Sequence, residues 1–184
     1  MTEKARRVVF IDRDGVINVD LWKYVEHWDE FRFEEGVCEA LKALTDGGFD
    51  IFIISNQAGV GDGVLTERAM WDVHEKMVAE LGRCGVVIRG AHYCTHGKKA
   101  ACDCRKPKTL LFEQAVRGVV FDKAKTFFVG DKLSDIEAGK NFGLRTILVR
   151  TGYGRQAEAQ LTAALRPDHI VNHLKDAVPL ILNA

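Results

Sequence analysis

Two carboxylates, Asp12 and Asp14, follow the apolar run "VVFI" and precede Gly15. A carboxylate held beside a cation stays ionised and can attack phosphorus. A second acid can protonate a leaving oxygen and later take a proton from water. In extended backbone, side chains two residues apart point the same way, and Gly15 then lets the chain turn sharply. Three further segments carry complementary groups. "SNQAG" (55–59) offers the Ser55 hydroxyl and successive backbone N–H groups to a phosphoryl oxygen. "CRKPK" (104–108) offers Arg105, a planar fork for oxyanions, and Lys106, a point charge able to neutralise both a phosphate and a nucleophilic carboxylate. Pro107 biases Lys106 toward extended backbone. "VGDKLSDIEAG" (129–139) places Asp131, a hard oxygen ligand suited to Mg²⁺, before Asp135, which is spaced to bond Lys106 or a metal-bound water. Taken alone, each segment is also what an ordinary turn or helix cap contains.

A fifth segment, "CTHGKKAACDC" (94–104), supplies Cys94, His96, Cys102 and Cys104. Four soft or borderline ligands suit tetrahedral Zn²⁺ and leave no open position, so the expected role is structural; a reactive or redox cysteine cluster is the alternative. Arg105 and Lys106 follow at once, so zinc there would brace the backbone that presents both cations. The odd cysteine count, five, argues against a disulfide framework, and Cys38 and Cys84 are expected as buried small hydrophobes. His27, His74, His92, His169 and His173 are scattered, with surface or core roles expected.

These segments need elements to position them. Strand candidates at 7–12, 49–55, 88–94, 125–131, 145–150 and 168–171 alternate with helical spacings at 37–44, 66–81, 110–116 and 136–142. Gly47-Gly48 and Gly143 stop two of the helices, and Thr66 is a candidate cap. The alternation predicts an α/β fold: a Rossmann-like three-layer sandwich with a mostly parallel central sheet, helices on both faces and a zinc-binding loop. Ligands in such sheets lie beyond the carboxyl ends of the strands, where Asp12, Ser55 and Asp131 fall. No repeat or linker is visible, so 1–184 reads as a single domain. No long insertion separates Asp14 from the second strand, so no large cap domain is expected. The site would be shielded only by segments 19–35 and 57–64 and the zinc loop. Lys plus Arg, 26, equals Asp plus Glu, 26, so bulk charge gives no reason to expect nucleic acid or anionic membrane. No apolar stretch approaches the roughly 18 residues of a span, and no secretory pattern opens the sequence; a cytoplasmic protein is expected.

In chain order, Asp-x-Asp-Gly, a Ser after the second strand, a Lys and then Gly-Asp-x-x-x-Asp resemble the signature of the haloacid dehalogenase superfamily, over residues 7–152. The resemblance implies a phosphoric monoester hydrolase. Asp12 would form an aspartyl-phosphate, Asp14 would be acid and base, and Ser55 and Lys106 would steady the phosphoryl group. Asp12, Asp14 and Asp131 would bind Mg²⁺. The Cys/His loop resembles that of the histidinol-phosphatase and heptose-bisphosphate phosphatase subgroup. Its short His-x5-Cys interval is similar to the histidinol-phosphate enzymes. "RDGVINVD", "YVEHWDEFRFEEGV", "SNQAGVGDG", "GDKLSDIEAG" and "ILVRTGYG" instead resemble the D-glycero-D-manno-heptose 1,7-bisphosphate 7-phosphatases. The expectation is therefore a Mg-dependent phosphatase of carbohydrate metabolism that removes the 7-phosphate. Histidinol-phosphate hydrolysis is the alternative. A nucleic-acid 3′-end phosphatase is a further one, disfavoured by zero net charge and the lack of aromatics in the basic run. By resemblance, the substrate contacts would include Asp20, Tyr24, Asn56, Gln57, Arg105 and Lys132. The expected partner is a small phosphorylated sugar, with no membrane or nucleic acid and the chain a monomer. Departures from the pattern are Ser rather than Thr at 55, Asp62 where Arg is frequent, a shortened metal loop and an extra residue near Trp22-Lys23. They bear on substrate contacts rather than on phosphoryl chemistry.

Overall fold

The apolar runs become strands covered on both sides because successive side chains feed two different cores. In the computed structural model, which describes residues 5–184, β1 (Arg7–Ile11) sends Val9 and Ile11 into one core and Val8 and Phe10 into the other. β2 (Phe49–Asn56) divides Ile51 and Ile53 from Phe52 and Ile54 in the same way. β3 (Ile88–Cys94), β4 (Phe127–Gly130), β5 (Arg145–Val149) and β6 (His169–Val171) complete a sheet of order β3-β2-β1-β4-β5-β6, and every pairing is parallel. This is a Rossmann-like α/β fold, with no large cap domain among the described residues.

Three helices, α1 (Val37–Asp46), α3 (Glu67–Arg83) and α7 (Leu174–Leu182), contribute to the first core, through Leu41, Met77 and Ile181 among others. The opposite core takes Phe112 from α4 (Leu110–Ala115) and Phe142 from α5 (Leu133–Phe142). Thr66 caps α3 by accepting the Ala69 N–H at 3.1 Å, and Gly143 ends α5 in the left-handed conformation.

Periodicity does not reveal α2 (Ala58–Gly61) or α6 (Gly154–Ala159), which are under two turns long, nor α7, whose pattern contains Pro179. The fourth strand is shorter than its apolar run, since Lys123–Lys125 form a 3-10 turn capped by Asp122. Cys38 and Cys84 correct an expectation. Both are only half-buried, and they form a disulfide with Cα atoms 6.0 Å apart. The reason is topological. Cys38 lies in the first turn of α1 and Cys84 at the C-cap of α3, and both helices pack on the same core. Among the described residues, no helix is long and apolar enough to cross a membrane.

Candidate active site

β1 lies between β2 and β4, so the winding of the chain reverses at the carboxyl ends of β1 and β4. Open α/β sheets form a crevice at such a reversal. Asp12 follows β1 and Asp131 follows β4, and the Asp12 N–H donates to the Val129 carbonyl at 2.9 Å. Asp135, in the first turn of α5, completes a buried trio. One carboxylate oxygen from each of Asp12, Asp131 and Asp135 lies within 4.8 Å of the others. Gly15 has φ +82°, and any side chain there would collide with the Asp131 carboxylate. Glycine therefore lets the backbone after Asp14 close over Asp131.

Lys106 is the counter-charge. Its buried ammonium sits 2.9 Å from Asp12 Oδ1 and 2.7 Å from Asp135 Oδ1 and donates to the Ile54 carbonyl at 2.9 Å. Its backbone is clamped by Asn56: Lys106 N–H donates to Asn56 Oδ1 at 3.1 Å, and Asn56 Nδ2 donates to the Lys106 carbonyl at 3.2 Å. The peptide between Lys106 and Pro107 is cis. Burial favours a neutral lysine, but the Asp12 and Asp135 carboxylates outweigh it and hold the Lys106 pKa above its usual value. Burial pushes the Asp131 carboxyl well above the ordinary range, against the nearby Lys132 cation. Asp131 Oδ2 accepts the Tyr153 N–H at 2.8 Å, whereas buried Oδ1 has no hydrogen-bond partner. A buried carboxylate oxygen that accepts no hydrogen bond, with the Lys132 ammonium 3.8 Å away, set among converging acids, fits a hard divalent cation such as Mg²⁺.

Asp14 is not part of this trio and is bound instead by the Arg13 side chain. Arg13 Nη2 lies 3.0 Å from both Asp14 oxygens and also donates to Gln57 Oε1 at 3.0 Å. Gln57 Nε2 and Asn18 Nδ2 donate to Asp14 at 2.7 and 3.1 Å. Burial would raise the Asp14 pKa, yet Arg13 and these donors hold it below the usual carboxylate range. Thus the carboxylate cluster contains Asp135 where the sequence reading places Asp14. Arg13, fully buried 5.7 Å from the Tyr93 ring centroid, is the residue that reading left without a role. Its signal was a cation flanked by two acids at the end of a buried strand. Ser55 is buried beside Gln57, whose amide donates to its hydroxyl at 3.3 Å.

Over these groups opens a cavity of about 280 Å³. Asp14, Asp20, Tyr24, Asn56, Arg105 and Lys132 line it, so five of the six expected substrate contacts meet there. Gln57 does not; it lies beneath, bound to Asp14 and Arg13. Trp22, Lys98 and Tyr153 also line the cavity and were not foreseen as contacts. Lys132 Nζ is 3.2 Å from Asp20 Oδ2 and 4.6 Å from the Tyr153 ring centroid. A cavity of about 340 Å³, lined by Arg7, Phe49 and Thr126 at the other end of the strands, contains none of this chemistry.

Cys94, His96, Cys102 and Cys104 form a second cluster, with ligand atoms all within 4.8 Å of one another. His96 Nδ1 is 3.2 Å from Cys104 Sγ, and Cys94 Sγ is 3.7 Å from Cys102 Sγ. Burial, together with the neighbouring Cys94 sulfur, pushes the Cys104 thiol up to about 12. Bound divalent metal would reverse that preference by taking the thiolates. The loop is fastened to the cavity from two sides. Asp62 Oδ1 accepts the Lys98 N–H at 3.0 Å, and Arg105 Nη2 donates to the His96 carbonyl.

A family model described as HAD-hydrolase-like matches residues 103–177. The D-glycero-beta-D-manno-heptose-1,7-bisphosphate 7-phosphatase of Haemophilus ducreyi is 39% identical, covering 96% of this chain and 99% of that protein. The D-glycero-D-manno-heptose-1,7-bisphosphate 7-phosphatase of Chlorobaculum tepidum is 35% identical over 95% of this chain and 94% of its own. Among solved structures, the D,D-heptose 1,7-bisphosphate phosphatase from B. bronchiseptica, complexed with magnesium and phosphate, superposes with a TM-score of 0.90. It is 30% identical and covers 96% of this chain and 98% of its own.

Proposed function

This chain belongs to the haloacid dehalogenase-like phosphatases, and from that premise we propose that it removes the 7-phosphate of D-glycero-D-manno-heptose 1,7-bisphosphate through an aspartyl-phosphate on Asp12. The observation that carries the reading is the buried meeting of Asp12, Lys106, Asp131 and Asp135 at the reversal of the sheet, under a cavity holding Arg105 and Lys132. Whole-length similarity to enzymes named for this substrate supports it.

In this proposal Lys106 and the Arg13 N–H, 2.8 Å from Asp12 Oδ1, fix the carboxylate so that its other oxygen attacks phosphorus. The bond from phosphorus to the sugar oxygen breaks, and Asp14 gives that oxygen a proton. Asp14 then takes a proton from the water that attacks the aspartyl-phosphate, releasing inorganic phosphate and restoring Asp12. The donors around Asp14 keep it oriented and favour its anionic form in the free protein, which suits proton abstraction from water; the proton it gives in the first step is taken up from solvent as the negatively charged phosphate enters beside it. Ser55 and Lys106 steady the phosphoryl oxygens. Mg²⁺ held by Asp12 and Asp131 would neutralise phosphoryl charge. Asp135 holds Lys106 in place. Zn²⁺ is the proposed occupant of the Cys/His cluster, in a structural role. The reading treats the chain as one domain, in keeping with the single sheet that holds all six described strands.

Phosphate release from heptose 1,7-bisphosphate and from histidinol phosphate, measured on one preparation, tests the substrate. The expected result is a kcat/KM for the heptose at least about tenfold higher. The reverse order would overturn the assignment.

A further inference from the structure

Among the described residues, Trp22 is the only non-glycine with positive φ, at +62°. A bulky side chain in that region is a backbone outlier, and such outliers cluster at ligand sites. The turn is secured from within the cavity. Trp22 N–H donates to Asp20 Oδ1 at 2.8 Å, while the other Asp20 oxygen lies 3.2 Å from Lys132 Nζ. The indole stands edge-on against the Tyr153 ring, with centroids 4.3 Å apart at 64°. Tyr153 is in turn tied through its backbone N–H to Asp131 at 2.8 Å. Despite these supports the Trp22 side chain is 58% exposed, and it lines the same cavity as Asp14 and Arg105.

A large apolar ring has therefore been fixed, at a position that favours glycine, on the wall of a cavity otherwise rich in charge. Backbone and aromatic contacts orient it, yet more than half of it faces solvent. We propose that Trp22 is a specificity-determining residue whose indole packs against the apolar C–H face of the substrate's sugar ring while the phosphoryl group reaches Asp12. Tyr153 and Asp20 act as positioning residues that hold the indole at its angle. This inference rests on the sugar-bisphosphatase reading and adds the element that distinguishes a ring-bearing phosphate from a ring-free one. Indole suits the task because it presents a flat apolar face at little conformational cost beside groups that stay wet.

The test compares wild type with Trp22→Ala and Trp22→Phe on heptose 1,7-bisphosphate and on acetyl phosphate, which has no ring. For Trp22→Ala, the ratio of kcat/KM for the heptose to that for acetyl phosphate should fall about tenfold, through KM for the heptose, and Trp22→Phe should recover most of it. Binding is read separately in the Asp12→Asn protein. The heptose should change tryptophan fluorescence there, and Asp12→Asn/Trp22→Phe should lose that change. An unaltered ratio, or equal losses on both substrates, would overturn the role of Trp22 and leave the bisphosphatase reading standing. Wild-type failure on the heptose would overturn both. A melting temperature equal to wild type, expected for so exposed a side chain, separates these outcomes from misfolding.

Discussion

The carboxylate–lysine centre and the Cys/His cluster both gather groups that repel one another or resist ionisation together, but they are held in different ways. The first stands on strand ends. Asp12 and Asp131 are continuations of adjacent, hydrogen-bonded strands, and Lys106, inserted between Asp12 and Asp135, supplies a cation from the chain itself. The second lies on a loop between β3 and α4. Among the described residues no lysine or arginine side chain bonds its sulfurs; Lys108 donates to the Cys102 carbonyl and to Asp103. Beside those Lys108 bonds, the loop is tied by the Lys98 N–H donating to Asp62 and by Arg105 donating to the His96 carbonyl. A hard-oxygen site can thus be preorganised by fold and internal charge, whereas a thiolate site depends on its metal for both charge and shape.

Removing chemistry from the first region should have the largest effect. Asp12→Asn, with deamidation back to Asp excluded by mass, should lower phosphate release by roughly 10⁴-fold or more while zinc content stays the same. Substantial activity in that variant would break the assignment of the nucleophile. Chelation of Mg²⁺ by a weak chelator that spares the thiolate site should also stop turnover, and added Mg²⁺ should restore it.

Lys106→Met tests whether the centre is balanced internally. It leaves Asp12 and Asp135 buried without their cation, and breaking such a set costs about 3–5 kcal/mol. Urea unfolding should show a loss of that size in metal-free protein and a smaller one with Mg²⁺ present. Equal losses in both conditions would mean that the metal and the lysine do not share the same carboxylates.

The loop should respond in the opposite sense. Cys102→Ser should abolish stoichiometric zinc and lower the melting temperature by roughly 5–10 °C, at about 2–4 °C per kcal/mol for a chain of this length. Activity should fall less than for Asp12→Asn, since Asn56 still clamps Lys106. Zinc retained in full would contradict the four-ligand assignment. The smallest effect is expected for Asp62→Ala, about 1 kcal/mol for one lost hydrogen bond to Lys98. It should be more damaging in zinc-stripped protein than in the loaded form. Equal damage in both would show that the loop keeps its shape without metal.

The sequence made the frame legible because parallel strands buried on both faces have little choice of composition. "VVFI" and "IFII" announce themselves, and Gly143 and Thr66 mark helix ends through local backbone chemistry. Asp12, Lys106 and Asp131 could be proposed because strand ends converge in this architecture. The parts that escaped depend on distant contacts. Nothing local places the Arg13 guanidinium between Asp14 and Gln57, since Gln57 arrives from the next strand end. The Cys38–Cys84 disulfide joins residues 46 apart whose helices meet only once both have packed on the sheet. α7 was obscured by Pro179, although its buried face, Leu174, Ala177, Val178 and Ile181, keeps helical spacing. Trp22 could be seen only as an extra residue; its place on the cavity wall depends on Tyr153, far along the chain.

The proposed phosphoryl transfer requires covalent participation by one carboxylate. The most direct measurement is an acid quench during turnover of heptose 1,7-bisphosphate, followed by borohydride reduction of any acyl phosphate and peptide mass analysis. The predicted result is reduction of Asp12 alone, dependent on substrate and Mg²⁺ and absent from Asp12→Asn. Sustained phosphate release with no modified aspartate, or with the modification on a different residue, would contradict it.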